Sequence, residues 1–361
     1  MVEAKKVPME YRYLGNTGIK VSVLSFGNWL NSNNKEDYEI TRDAMKLCKE
    51  SGVNLFDTAE FYGYGTAETL MGRAIKELEF KREEIVVTTK IWRIGNGVND
   101  SFLSRKHIIE AIHAQLKRLQ LDYVDVIFCH RPDYETPLEE TCRAMNWIIE
   151  NNKAFYWGTS EWPVDRIAKA IEICDKLNLH KPIVEQPQYN MLWRNRFEHE
   201  YRRLFSENGY GTTIWSPLAG GILSGKYNDG NIPEGSRYDN HKFLIDFIWV
   251  KHMGPENKAK TLKMLNELGD FAKELGYTQA HLALAWTIAN RDVSTCLLGF
   301  TRLSQVEENL KALELYYKWT PEIEKKLRTI LGNDPETTQD FRKFTSQPHR
   351  RDQAIKYEKK E

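Results

Sequence analysis

Asp57 and Tyr62 stand five residues apart in NLFDTAEFYGYGTAETLMG (Asn54–Gly72), where an apolar, strand-like run gives way to glycines. Each has a bland reading: the carboxylate could cap the next helix, and the phenol could be an interface aromatic. Two further residues change that weighing. Lys90 closes the run EIVVTTK and His130 closes VDVIFCH, so an acid, a phenol, an ammonium and an imidazole all end apolar segments. A free phenol has a pKa of about 10 and is a poor acid at neutral pH. An ammonium beside it favours the phenolate and lowers that value. Lys90 could do this if Asp57 anchors it, while His130 could share the phenol's proton or hydrogen-bond a substrate carbonyl. Such a quartet suits delivery of a proton to a carbonyl oxygen while hydride reaches the carbon. No side chain donates hydride, so a nicotinamide cofactor would be required. A lone histidine or lysine at a strand end is usually structural or exposed; the joint arrangement favours chemistry.

The elements that must position these groups are repetitive. Eight strand-like runs, VSVLSFG, NLFDTA, EIVVTTK, VDVIFCH, AFYWGTS, PIVEQPQ, TTIWSP and VSTCLLG, alternate with helical patterns. Within Arg105–Gln120, the apolar residues Ile108, Ile109, Ile112, Leu116 and Leu119 recur at helical spacing. ENKAKTLKMLNELGDFAKELG ends in Gly276, a residue suited to a helix C-terminus. Continuously apolar strands read as a parallel sheet covered on its outer face. Strand–helix order alone fits either an open doubly wound sheet or a closed barrel. Eight repeats over this length favour a single (β/α)8 TIM barrel. Asp57, Lys90, His130, Ser160, Gln186 and Ser216 then share the C-terminal face of the strands, where such barrels carry their sites.

Composition narrows the classes. Over 361 residues, Lys+Arg and Asp+Glu both total 51, so the basic excess expected of a nucleic-acid binder is missing. MVEAKKVPME has no apolar signal core, and no run approaches the roughly 18 apolar residues of a membrane span. The expectation is a cytoplasmic protein with no direct membrane insertion and five reduced, scattered cysteines. A metal-dependent barrel hydrolase lacks its ligands, because the nine histidines include no HxH pair. We expect a short leader at 1–10, the barrel at 11–342, and a polar, solvated C-terminal extension at 343–361.

Longer stretches carry a resemblance. NLFDTAEFYG, TTK, YVDVIFCHRPD, YWGTSEW, EQPQYN, WSPLAGGILSGKY and LLGFTRLSQVEENL together resemble the aldo-keto reductases, from about Tyr11 to Arg342. LSRKHIIEAI, RLQLDYVDV, GTSEW and WSPLAGGILSGKY are most similar to the branch that contains the voltage-gated potassium-channel β-subunits. The resemblance implies a catalytic tetrad of Asp57, Tyr62, Lys90 and His130, with Tyr62 the proton donor, and NADP(H) lying across the C-terminal face. It implies Asn28 and Trp29 near the nicotinamide, Ser160 and Gln186 on its carboxamide, and Trp215 against its ring. Ser216, Pro217, Leu218, Ala219, Gly220, Lys226 and Arg237 correspond to the loop over the pyrophosphate. Gly299, Thr301, Gln305, Glu308 and Asn309 correspond to the adenosine end.

The residues themselves agree in part. GFTRLSQVEEN follows the last strand and opens the last helix, where backbone N–H groups of such barrels hold phosphate. Arg237 and Arg302 could add cations for a 2′-phosphate, favouring NADP over NAD, although Arg302 reads equally well as a solvent-facing helix-start residue. Trp29, Tyr62, Trp92 and Trp162 suggest an aromatic-walled substrate pocket, shaped by IWRIGNGVNDSF and by the region from Tyr227 to Gly254.

Three departures qualify the branch. His130 stands where the channel β-subunits have Asn, and histidine is the form of active reductases. Glu161 stands where those subunits carry Arg beside the cofactor. About ten residues precede YRYLG, so the long N-terminal segment with which some β-subunits plug pores is not expected here. Two functions follow from the resemblance: an NADPH-dependent reductase of small carbonyl substrates, or a cytoplasmic accessory subunit of a potassium channel, in which case a homotetramer is expected.

Overall fold

The computed structural model describes residues 7–30, 35–240 and 245–335; the extension at 343–361 and residues 1–6 of the leader lie outside the described residues. An antiparallel hairpin comes first, β1 (Tyr11–Tyr13) with β2 (Lys20–Ser22). Then come eight parallel strands: β3 (Leu24–Gly27), β4 (Leu55–Asp57), β5 (Val86–Ile91), β6 (Val124–Cys129), β7 (Ala154–Ser160), β8 (Val184–Gln186), β9 (Gly211–Ile214) and β10 (Thr295–Leu298). They pair in chain order and β10 returns to β3, closing the (β/α)8 barrel that the eight apolar runs predict. One run is divided. Val21 and Ser22 of VSVLSFG belong to β2, and only its second half enters the barrel.

The helices wrap the outside. α1 (Lys35–Glu50), α2 (Thr66–Glu77), α3 (Arg105–Leu119), α4 (Leu138–Glu150) and α5 (Val164–Leu177) follow β3 to β7, and α6 (Arg202–Asn208) follows β8. After β9 come α7 (Arg237–Asn240), α8 (Val250–Met253), α9 (Lys258–Glu274) and α10 (Gln279–Ala289). α11 (Ser304–Leu310), α12 (Ala312–Tyr316) and α13 (Pro321–Leu331) follow β10. GFTRLSQVEEN therefore opens α11, not the last helix as expected. The pattern read in α3 is the packed one: Ile108, Ile112, Leu116 and Leu119 are buried, the Ser104 hydroxyl accepts from the His107 amide, and Gln120 leaves the helix in the left-handed region. Gly276, at φ +80°, lies just past the end of α9, where a left-handed residue ends the helix without a Cβ clash.

Strand alternation decides what faces the axis. Leu55, Val86, Val126, Phe128 and Val184 form an apolar plug inside the barrel, joined by Leu14 and Val21 around the hairpin. Phe56, Val87 and Ile127, one residue out of phase, pack under the helices. Two residues on from the plug, or four on β5, the same inward phase delivers Asp57, Lys90, His130 and Gln186 to the upper end. Below, Arg12 ties the floor together. Its guanidinium donates to the carbonyls of Ile288 at 2.7 Å and Val293 at 2.6 Å, at the end of α10, where a cation also complements the helix dipole. Glu10, assigned to the leader from sequence, accepts from Arg12 at 2.9 Å, Arg291 at 2.7 Å and Tyr316 at 2.6 Å, so the leader's last residues pack as part of the barrel floor.

One outward residue on β8 is ionisable. Glu185 is fully buried, accepts from the Thr159 hydroxyl and from the Trp162 amide at 3.2 Å, and burial pushes its carboxyl up to about 8. A raised folded-state pKa stabilises the fold below the unfolded value, and that contribution is lost as pH rises toward the folded one. Glu185→Gln keeps the neutral shape. Its melting temperature should match the wild type below about pH 4.5 and exceed it increasingly as pH approaches about 8. A difference that does not change with pH would contradict this.

Candidate active site

At the upper end of the barrel the four sequence-selected groups meet. Asp57 ends β4 with 2% of its surface exposed, and its carboxylate accepts from Lys90 Nζ at 2.5 Å, the Thr88 hydroxyl at 2.6 Å and Gln186 Nε2 at 3.2 Å. It therefore does not cap α2, whose first turn has no side-chain cap. Lys90 is completely buried and also donates to the Thr58 carbonyl at 2.7 Å. Tyr62 lies above it on the turn after β4, its ring centroid 4.7 Å from Lys90 Nζ and 5.7 Å from the His130 ring.

Two protonation tendencies follow. Burial pushes the Tyr62 phenol above its ordinary value, and the charge and hydrogen bond of Lys90 oppose this without overcoming it. Lys90 pulls the phenol down as expected, but desolvation of the phenolate outweighs the ammonium. Tyr62 is thus protonated at neutral pH and available as a donor. His130 is held well below the ordinary imidazole value by burial and by the charges of Arg131 and Lys90, so it is neutral. Its Nδ1 is buried without a protein partner, leaving a polar atom for something else to satisfy.

A cavity of about 1070 Å³ runs from Tyr62, Trp92 and His130 to Gln305 and Asn309 on α11. All the residues expected on the cofactor line it except two. Ala219 is buried beneath it, its carbonyl accepting from Tyr238 Oη at 3.0 Å. Glu308 turns toward His281, 3.0 Å away, and Lys311, 3.3 Å away. Asn28 lines the cavity, but its side chain is committed to the Ala67 carbonyl at 2.8 Å and to the Thr41 hydroxyl at 3.3 Å. Ser160 Oγ donates to the Gln186 carbonyl at 2.8 Å. Trp215 Nε1 donates to Glu161 at 2.9 Å, and Glu161 pairs with Arg196 at 2.9 Å, so the residue that departs from the branch pattern fixes the indole.

The cavity also gathers cations. Lys226, Arg237 and Arg302 line it close enough to repel one another, and no carboxylate pairs with any of them among the described residues. Burial, then repulsion from Arg237 and Arg302, lowers the Lys226 ammonium. Burial brings Arg237 down to about 10, with its Nε unpartnered and its guanidinium 4.6 Å from the Trp29 ring. Beside them Gly220 (φ +67°) and Gly221 (φ +104°) turn the backbone closely, and a Cβ on Gly220 would lie 2.4 Å from Tyr238 Oη. Orphaned donors, unmatched cations and a tight glycine turn fit a phosphate-bearing dinucleotide.

The aromatic wall is partly as expected. Trp29 and Trp92 line the cavity, and Trp92 is braced by Phe102 at 5.1 Å between centroids. Phe102 sits at φ +69°, a costly place for an aromatic residue and one that tends to mark functional loops. Trp162 is corrected: it is fully buried away from the cavity, under the Arg166 guanidinium at 5.4 Å. Its position two residues past Ser160 carries it from the strand mouth into the helix layer. Among the lining residues that sequence reasoning passed over, Phe61 and Arg131 adjoin the reactive groups. Their adjacency to Tyr62 and His130 was the available signal.

Comparison with known proteins agrees with this geometry. A relative from Oryza sativa subsp. japonica, named "Probable voltage-gated potassium channel subunit beta", is 45% identical over 336 residues, covering 92% of this chain and 100% of the relative. One from Arabidopsis thaliana with the same name is 46% identical over 336 residues, with the same coverage of 92% and 100%. A protein from Schizosaccharomyces pombe, also named for a voltage-gated potassium channel subunit beta, is 48% identical over 337 residues, covering 92% of this chain and 96% of its own. The model of the Aldo/keto reductase family matches residues 23–327, and the chain belongs to that family.

Proposed function

We propose that this protein is an NADPH-dependent reductase of aldehydes and ketones, with Tyr62 as proton donor. Family membership carries the general oxidoreductase role and a nicotinamide cofactor. The finer reading rests on one observation: a protonated phenol stands over a buried Asp57–Lys90 pair in a cavity also lined by three cations without ion pairs among the described residues. A nicotinamide bound along that cavity would supply hydride to the substrate carbon. The chain's own groups do the rest. Neutral His130 holds the carbonyl oxygen by hydrogen bond beside Tyr62. As the C=O bond becomes C–O, the Tyr62 O–H bond breaks and its proton passes to that oxygen. Lys90 stabilises the phenolate left behind, and Asp57 keeps the ammonium beneath the ring. Trp29 and Trp92 exclude water from the reacting oxygen.

A second reading comes from the relatives named as potassium-channel β-subunits: a regulator that docks on a channel's cytoplasmic domain, plausibly as a homotetramer, and keeps the barrel. Failure of such a domain to capture this chain would remove it. No helix among the described residues is long and apolar enough to cross a membrane.

Cofactor choice is measurable by thermal shift. A charge-assisted hydrogen bond contributes roughly 1.5–3 kcal/mol, so Lys226, Arg237 and Arg302 should make NADPH bind about tenfold or more tighter than NADH. Equal stabilisation at matched concentrations would count against a 2′-phosphate site.

The proton step is tested by Tyr62→Phe, which keeps the ring and cofactor binding. General-acid assistance is worth about 10²–10⁴-fold, so kcat should fall at least about a hundredfold with KM little changed. Lys90→Met acts on the same proton, and the double variant should be scarcely worse than either single one. Normal turnover by Tyr62→Phe would end this mechanism.

A further inference from the structure

Arg131 leaves β6 directly after His130 and lines the cavity at its reactive end, yet the proton step makes no use of it. One nitrogen fixes its place: Nη1 donates to the His130 carbonyl at 2.5 Å and to Ser160 Oγ at 3.2 Å. A guanidinium carries five N–H donors, and the remaining nitrogens of Arg131 bond to no protein group among the described residues. The residue is half-buried, and none of these nitrogens is among the fully buried, unpartnered atoms.

No carboxylate is in ion-pair contact with Arg131 among the described residues, and the acids nearest it in sequence and around the reactive groups have other partners. Asp57 belongs to Lys90. Asp133 accepts from the amides of Leu103 at 3.0 Å, Glu135 at 2.9 Å and Thr136 at 3.2 Å. Glu161 is taken by Arg196 and Trp215, and Glu60 by the Trp92 amide at 2.5 Å and His107 at 3.1 Å. Of the cations expected on phosphate, Lys226 and Arg302 are grouped with Arg237, whose guanidinium lies 4.6 Å from the Trp29 ring. Beside His130, Lys90 is matched by Asp57 and Arg131 has no ion pair among the described residues.

We infer that Arg131 selects carbonyl substrates bearing an anionic group, a carboxylate in the simplest case, which its guanidinium holds while the carbonyl meets Tyr62 and His130. An unmatched, partly buried guanidinium gains most from an anion that brings two oxygens to its fork. The competing view makes Arg131 a strut joining the His130 backbone to Ser160, which needs one donor and no net charge. The inference rests on the reductase reading for the carbonyl but not for the anion.

The test uses 4-carboxybenzaldehyde and its neutral methyl ester. Both are titrated into the intact protein with saturating NADP⁺, following tryptophan fluorescence, and both are then assayed as substrates with NADPH. The acid should bind at least about tenfold tighter than the ester. That ratio should fall to near one in Arg131→Met, keep an intermediate value in Arg131→Lys, and persist in Lys226→Met. Equal binding by the wild type overturns the inference, whether or not Arg131→Met folds. So does a preference that survives in Arg131→Met or disappears only in Lys226→Met. A binding preference without turnover of either aldehyde would uphold the anion site and refute the reductase reading. Turnover of both without preference would do the reverse.

Discussion

Lys90 brings an ammonium to the centre of a barrel with none of its surface in water, and much of the upper structure exists to hold it there. Desolvating such a charge costs several kcal/mol unless its partners are well placed. Asp57 on the neighbouring strand meets it at 2.5 Å, and the Thr58 carbonyl takes a second donor at 2.7 Å. Asp57 in turn needs its other oxygen satisfied, which Thr88 and Gln186 do from β5 and β8. Three strands of the barrel thus converge on one ion pair. Removing either partner would leave an uncompensated charge in a place that no water reaches.

That constraint also shapes the chemistry. With Lys90 matched by Asp57, its pull on Tyr62 is moderated, and burial keeps the phenol protonated. Neutral His130 beside it supplies a hydrogen-bonding atom without adding charge. The polarity of the cavity is therefore uneven. Balanced charge lies beneath the reacting position, and unmatched guanidinium and ammonium groups stand at Arg131 and around Lys226 and Arg237. Unpaired cations in a low-dielectric cleft favour anionic ligands far more than they contribute to folding.

The walls are placed by a different kind of force. Trp215 is steered by a hydrogen bond to Glu161, which is itself held in the left-handed region at φ +58° and paired with Arg196. Trp92 is braced by Phe102 and held through its amide by Glu60. Both aromatic walls depend on carboxylates outside the cavity lining, Glu60 buried and Glu161 half-buried, so the second layer sets the shape of the first.

Much of this was legible in the chain itself. The eight apolar runs determined eight strands, because a parallel strand buried on both faces must be apolar along its length. The two-residue phase of those strands, counted from Leu55, Val86, Val126 and Val184, determined that Asp57, Lys90, His130 and Gln186 would face the axis. The spacing in Arg105–Gln120 determined the buried stripe of α3. What local sequence does not carry is the partner across space. The hairpin of Tyr11–Tyr13 with Lys20–Ser22 is too short for a periodic signal, and it is set by its fit under the barrel. Glu308 and Trp162 carry the right residue types but point elsewhere, toward His281 and into the helix layer. The balance of burial against Lys90 at Tyr62, and the lack of an ion pair to Arg131 among the described residues, were decided only when strands distant in sequence closed into one ring. Desolvation and charge pairing depend on distances of a few ångströms, and those are properties of the closed barrel.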